Sequence, residues 1–305
     1  MQSPIAYQTP DDLRRVQVAL MQWTKQAGDC NYFHKGDIRH RLFNGGYQHQ
    51  PQDILHYWLD DDNNIIGFVQ LYPFWENFEL YVAPELRYTD FHIEAFQWAE
   101  QNLIAYANRI EKPLKEIVVE TFGCNPQHEE FVMARGYIHD KHTITYTEHD
   151  YQNIPETRLP EGFRFHDSTA DDLENLADVH NKSFTSKWTA EIYGKVYNAP
   201  FKEYEIVVVA SDGRFAAFTQ VWVDDINNTI LFEPVGTHED FRRQGIGKAL
   251  MVYVLKRMQA EYGTQRAIVC HETLDKNPAS VALYKSLGFR PKYQIHEYVK
   301  TLTIS

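Results

Sequence analysis

Leu231-Phe232-Glu233-Pro234-Val235-Gly236-Thr237 runs through His238–Phe241 into Arg242-Arg243-Gln244-Gly245-Ile246-Gly247-Lys248, and this stretch decides how the second half of the chain reads. An extended segment enters a glycine-containing turn and passes into a helix. Beyond the turn, Leu250, Met251, Val254, Leu255 and Met258 recur at helical spacing and predict one buried face. A strand, a glycine turn and a helix start together form an anion site. The first N–H groups of a helix lack intrahelical acceptors, the helix dipole favours negative charge, and glycine lets a phosphate come close. Arg242, Arg243 and Lys248 add cationic groups nearby.

Other phosphate loops fit less well. A dinucleotide fingerprint needs a third glycine where Leu250 stands, and a P-loop needs glycine and Ser/Thr where Arg242 and Ala249 stand. His271-Glu272-Thr273-Leu274-Asp275 approaches a zinc-protease signature, but Asp275 takes the place of the second histidine, so no metal is expected. Alone, the loop reads as a turn that merely joins strand to helix. It is followed, 35 residues after Arg242, by Asn277, then Ser280, Ala282, Leu283, Tyr284 and Gly288-Phe289.

These paired segments resemble the GNAT superfamily of N-acetyltransferases. Its pattern is Arg/Gln-x-x-Gly-x-Gly/Ala followed by Asn…Ala…Tyr…Gly-Phe. Arg242, Gly245 and Gly247 match the first motif; Asn277, Ala282, Tyr284, Gly288 and Phe289 match the second. The resemblance covers 163–305 well and the first half in outline. It implies acetyl-CoA as co-substrate, with the N–H groups of Gln244, Gly245, Ile246, Gly247 and Lys248 on its pyrophosphate beside Arg242 and Arg243. The backbone of Val235, Gly236 and Thr237 would pair with the pantetheine arm, and Asn277 and Ser280 would contact the arm or its phosphates. Tyr284 would stand near the thioester sulfur and return a proton to the leaving thiolate. Its bland alternative is a core aromatic. Glu233 shares a strand face with Val235 and Thr237. It relays the amine's proton, or it is a structural carboxylate and a water chain does the relay.

The same order of elements occurs twice. Thr9-Pro10-Asp11-Asp12-Leu13 and Thr169-Ala170-Asp171-Asp172-Leu173 each predict a capped helix start. Hairpins follow at Ile54–Leu59 with Ile65–Tyr72, and at Ile206–Ala210 with Phe215–Val223. Asn125-Pro126 matches Asn277-Pro278, Gly136-Tyr137 matches Gly288-Phe289, and Tyr146 matches Tyr298, all at an offset of 152. Pro155, Pro160 and Gly162 mark a linker over 151–162. The expected fold is α+β (mixed α/β): two tandem GNAT-like domains, residues 1–155 and 156–305, each a twisted, mostly antiparallel sheet flanked by helices. In the first copy Arg87 stands where Arg242 does, but Asp90 and His92 replace Gly245 and Gly247, and Val132 replaces Tyr284. A carboxylate there repels a pyrophosphate and a β-carbon obstructs the turn, so one working site is expected, in the second copy.

Composition bounds the partners. A net charge of −12 argues against nucleic acid or an anionic membrane surface. The imbalance lies in residues 1–150, with 12 Lys+Arg against 22 Asp+Glu; the rest carries 18 against 20. This is an acidic solvated surface, or a device that draws a cationic amine. Cys30, Cys124 and Cys270 are spaced too far apart for a disulfide framework or a zinc cluster. No apolar run reaches membrane-spanning length and Met1-Gln2-Ser3-Pro4 has no signal character, so a cytoplasmic protein is expected. The reading is a monomeric acetyltransferase, a pseudo-dimer of repeats, acting on a primary amine of a small molecule or peptide. Its rivals are a non-catalytic CoA-binding or interaction module and, behind that, a nucleotide-binding protein.

Overall fold

In the computed structural model, which describes residues 3–45 and 49–302, both halves start their first helix by the same device. After the short strand β1 (Ile5–Ala6), Asp12 Oδ2 accepts the Thr9 N–H at 2.8 Å and α1 (Pro10–Ala27) begins. Asp172 Oδ2 does the same for Thr169 at 2.8 Å in the second half. Each pair supplies an acceptor to an N–H that the helix cannot satisfy itself.

The first half continues with α2 (Lys35–His40), α3 (Pro51–Ile54), β2 (Leu55–Leu59), β3 (Ile65–Tyr72), β4 (Asn77–Val82), α4 (Asp90–Arg109), β5 (Glu116–Phe122), α5 (Pro126–Met133) and β6 (Ile138–His149). Strands β1 to β4 pair antiparallel in chain order, while β4 meets β5 in parallel at the single pair Asn77↔Val118. Helix α4 lays Phe96, Ala99 and Leu103 on a core with Val69, Leu71, Ile117 and Val119.

The second half contains β7 (Arg164–Asp167), α6 (Leu173–Phe184), α7 (Ala190–Tyr197), β8 (Tyr204–Val209), β9 (Phe215–Asp224), β10 (Thr229–Thr237), α8 (Ile246–Tyr262), β11 (Arg266–Glu272), α9 (Pro278–Leu287) and β12 (Arg290–Thr301). Its sheet runs β7-β8-β9-β10 antiparallel, then β11 parallel to β10. The expected face of α8 is fully buried: Leu250, Met251, Val254, Leu255 and Met258 are each 0% exposed, against Ile206, Val208 and Val221. The mixed α/β architecture and both hairpins are as the sequence reads.

The chain divides into two compact units, Met1–Ile144 with Tyr293–Ser305, and Thr145–Lys292. The linker at 151–162 therefore lies inside the second unit rather than between the two. Strand β12 follows α9 in sequence, yet it pairs antiparallel with β5 in the first unit, from Ile295↔Phe122 to Thr301↔Glu116. Conversely, the end of β6 belongs to the second unit, where Thr147 Oγ1 donates to Val269 O at 2.7 Å. The offset of 152 between Tyr146 and Tyr298 is intact, but each sits in the unit built mainly from the other repeat.

The reading of the cysteines needs correction. Cys30 and Cys124 form a disulfide, with Cα atoms 6.0 Å apart across a sequence separation of 94. Spacing gave no sign of it, because the pairing depends on where β5 ends relative to the turn after α1. Cys270 is free. Among the described residues no helix is long and apolar enough to cross a membrane.

A disulfide is typically worth about 2–4 kcal/mol, and disulfides persist in oxidising surroundings. Thiol titration of the denatured, unreduced protein is expected to find only Cys270, and all three cysteines after reduction. Three thiols before reduction would show that the pair is open. The double substitution Cys30→Ser, Cys124→Ser is expected to lower unfolding stability by about 2–4 kcal/mol in denaturant titration.

Candidate active site

Strand β10 changes partners halfway along. Its pairing with β11 covers Thr229–Leu231, ending at Leu231↔Ile268, and among the described residues Phe232–Thr237 have no β11 partner. On the other edge, the register with β9 shifts between Phe232↔Val221 and Val235↔Thr219, so Glu233 and Pro234 together face Gln220. Two residues opposite one is a bulge, which bends the strand and turns it away from its neighbour. Pro234 suits it, having no N–H to offer a ladder. The two carbonyls displaced from the ladder find side-chain donors on β9: Trp222 Nε1 to Glu233 O at 2.9 Å, and Thr219 Oγ1 to Pro234 O at 2.9 Å.

Beyond the bulge, Glu233, Val235 and Thr237 are half-buried while Pro234 and Gly236 are buried, so the expected alternation holds. Gly236 is there because nothing larger fits. A Cβ would lie 2.4 Å from Phe218 Cε1 and 2.7 Å from Ser183 Oγ. His238 then caps the short turn Glu239–Phe241 by accepting the Asp240 N–H, and its Nε2 lies 3.3 Å from an Asp178 carboxylate oxygen.

The turn into α8 is exposed, with Arg243 at φ +62° and Gly245 at φ +78°. Alternating backbone of this kind forms a concavity of N–H groups. The helix's own bonding starts with Ala249 N–H to Gly245 O at 2.9 Å, which leaves the N–H groups of Ile246, Gly247 and Lys248 without intrahelical acceptors. Gly245 is set by its positive φ. Gly247 is set by contact, since its Cβ would stand 2.9 Å from Thr237 Oγ1. Arg243 and Gln244 are exposed and Lys248 is half-buried; Gln244 Nε2 reaches Asp240 O at 3.4 Å.

Arg242 works differently from its neighbours. Its Nε donates to Thr237 O at 3.2 Å and its Nη2 to Lys182 O and Ser183 O, both at 3.1 Å. The guanidinium thereby satisfies the open carbonyls at the end of α6 and ties that helix to β10. These bonds make a structural tie through a fork of donors that lysine could not reproduce.

On α9, Asn277 is the N-cap: its Oδ1 accepts the Ser280 N–H at 3.2 Å, and Ser280 Oγ donates to Asn277 O at 3.0 Å. This orients the helix so that Tyr284, 7% exposed, packs its ring 5.8 Å from His271 and 6.0 Å from Phe289. Burial raises the phenol's pKa well above its ordinary value, and the charges of Glu233 and Cys270 raise it further. The fold thus brings Tyr284, Glu233 and Cys270 into electrostatic reach of one another. Cys270, Trp222, Thr219 and Ser183 escape motif reading because they act through neighbours in space.

The first unit presents a contrast at the corresponding turn. Tyr88 has φ +64°, and α4 starts at Asp90. The Tyr88 N–H, which would face an anion, donates instead to His92 Nδ1 at 3.0 Å. His92 is 2% exposed and stacks on Phe131 at 4.1 Å; burial lowers its pKa to about 2, so it is neutral.

Residues 173–289 match the Acetyltransferase (GNAT) family. No curated protein sequence matches the chain. Among solved structures, a tandem GNAT protein from the clavulanic acid biosynthesis pathway superposes with a TM-score of 0.69 at 14% identity, covering 99% of this chain and 98% of the other. A GCN5-related N-acetyltransferase from Sphaerobacter thermophilus gives 0.62 at 14%, covering 99% and 97%. A GNAT-family acetyltransferase from Colwellia psychrerythraea gives 0.59 at 14%, covering 98% and 100%. The segment that matches the GNAT family lies within the second unit, and the chain as a whole shares its fold with the tandem GNAT protein.

Gly236→Ala is expected to overpack the contact with Phe218 and Ser183 and to cost about 1–3 kcal/mol. A shift of the denaturant midpoint at unchanged slope checks this, and an unchanged midpoint would mean that β10 can move away from α6.

Proposed function

We propose that the second unit is an acetyl-CoA-dependent N-acetyltransferase that acts on a primary amine of a small molecule or peptide, with one active site per chain. The observation that carries this reading is the opening between Phe232–Thr237 of β10 and β11, which leads to the N–H groups at the start of α8, together with Tyr284 in electrostatic reach of Glu233 on the same strand. An unpaired strand edge accepts an extended amide-bearing arm by adding a strand. The helix start suits its pyrophosphate.

The chemistry follows from charge. Attack by a neutral amine on a thioester places negative charge on the carbonyl oxygen, and a fixed strand N–H near Val235 stabilises it. The amine arrives as an ammonium and has to lose a proton first; Glu233, on the cleft face of β10, takes it directly or through water. Tyr284 gives a proton to the departing thiolate, and the proton that the attacking nitrogen sheds as the amide forms restores the phenol, so that amide and free thiol result. A phenol held protonated by burial and by a nearby carboxylate is available for that donation throughout the neutral range.

Two measurements test the reading. Calorimetry is expected to find one acetyl-CoA per chain, and Gly245→Asp to weaken that binding by about tenfold or more, since it puts a carboxylate against the pyrophosphate. A Cβ at this exposed position meets nothing within 4 Å, but the positive φ strains any side chain, so Gly245→Ala, which carries the strain without the charge, is the control. Two equivalent sites, or unchanged affinity, would overturn the assignment. Separately, Tyr284→Phe is expected to lower turnover about 100-fold with little change in acetyl-CoA affinity. Because the phenol's pKa lies above its ordinary value, the loss should be equal at pH about 7 and about 9. Undiminished turnover would return Tyr284 to the core and favour a CoA-binding module without catalysis.

A further inference from the structure

Thr219 carries a hydroxyl into a strand that is buried along its whole length. Every residue of Phe215–Asp224 is buried, and Thr219, 0% exposed, has Ile206 and Val235 as its cross-strand neighbours. Valine would fill the same volume without a polar group that has to be satisfied out of water. The hydroxyl lies 2.9 Å from Pro234 O and 3.1 Å from Gln220 O, so its single proton is set between two carbonyls, nearer the first. Both carbonyls belong to the bulge, where Pro234 has no N–H to offer.

Holding Pro234 O also fixes the Val235 N–H. The two belong to one planar trans peptide, in which carbonyl and N–H point in opposite directions. Pro234 O points to β9, where Thr219 stands, so the Val235 N–H points away from β9. The ladder gives the same direction independently. His238 N–H donates to Ala216 O at 3.0 Å, and residues of an antiparallel strand face its two edges in alternation. Gly236 therefore shares the β9 side with His238, while Val235 and Thr237 face the other edge. That edge is the one β11 leaves after Leu231.

We propose that Thr219 is a positioning residue for acyl transfer: by holding Pro234 O it aims the Val235 N–H at the thioester oxygen of bound acetyl-CoA. This rests on the acetyltransferase reading above. A donor to a developing oxyanion is effective when it is already aimed, because a peptide that has to turn first loses its advantage over water. Inside a sheet, ladder hydrogen bonds on both edges do the aiming. Here one edge is open and the other is bulged, so a side chain supplies what the ladder lacks. Without the hydroxyl, Pro234 O loses its donor in a buried site, and the peptide turns to find another, taking the Val235 N–H off the opening. Trp222 has a different part. It holds Glu233 O, in a peptide whose nitrogen is that of Pro234 and carries no proton, so it braces the bulge but aims no amide.

The test is isotope-edited infrared spectroscopy of acetyl-CoA, labelled at the thioester carbonyl carbon and bound to the full chain, with calorimetry for its affinity. In the wild type the carbonyl stretch is expected to move to lower frequency on binding, because a hydrogen bond polarises it. Thr219→Val is expected to lose most of that shift while the affinity stays within about threefold. Thr219→Ser keeps a hydroxyl and is expected to restore the shift. A second measurement needs no variant and serves should Thr219→Val fail to fold. By NMR of the wild type, the Val235 amide proton is expected to move downfield when acetyl-CoA binds, and the Gly236 amide, on the β9 side, to stay. The proposal alone is overturned by an unmoved carbonyl stretch or Val235 amide in the wild type with acetyl-CoA bound. A wild-type shift in folded Thr219→Val, its loss in Thr219→Ser, or a fall in affinity that accounts for the lost signal would each overturn it as well. Absence of acetyl-CoA binding to the wild type would overturn the acetyltransferase reading, and this proposal with it.

Discussion

The departure of β10 from β11 after Leu231 is the constraint on which the rest of the second unit depends. A strand that leaves its neighbour exposes a row of backbone groups, and the structure holds them open by securing the other edge. The bulge at Glu233-Pro234 keeps pairing with β9, and Trp222 and Thr219 hold the two carbonyls that the bulge displaces. Gly236 then lets the strand sit directly on Phe218 and Ser183, and Arg242 clamps the end of α6 to Thr237. The cleft is therefore an opening between rigid walls, and the glycine turn and Tyr284 sit where those walls place them.

The two repeats show how one arrangement of elements takes on different chemistry. Both have a strand pair that separates, a turn with a positive-φ residue two positions before the site of a helix's first turn, and an Asn-capped helix beyond. In the second, Gly245 and Gly247 leave the amides bare. In the first, a single imidazole, His92, takes the Tyr88 amide for itself and stacks into the core on Phe131. A buried N–H that is satisfied internally has nothing left for a ligand.

Much of this was legible in the sequence. The repeated capped starts, both hairpins and the buried face of α8 are local patterns, determined by side-chain spacing along one segment. So was the glycine turn, because positive φ at Gly245 leaves its mark on residue type. The motif also pointed to Arg242, but as a phosphate neighbour. Its partners, the carbonyls of Lys182 and Ser183, lie some 60 positions away in the chain and become visible only once α6 and β10 are packed together.

By itself, then, the amino-acid sequence determined which segments form helices and strands, that the pattern is duplicated, and which copy has the glycine turn. These follow from hydrophobic period, capping chemistry and the allowed φ of glycine, all acting over a few residues. The tertiary structure decided everything that joins distant residues: the Cys30–Cys124 pair, the placement of β12 beside β5, the electrostatic reach between Tyr284, Glu233 and Cys270, and the three carboxylates gathered around Arg41. Such proximities arise from how sheets and helices stack, and spacing along a chain carries no record of them.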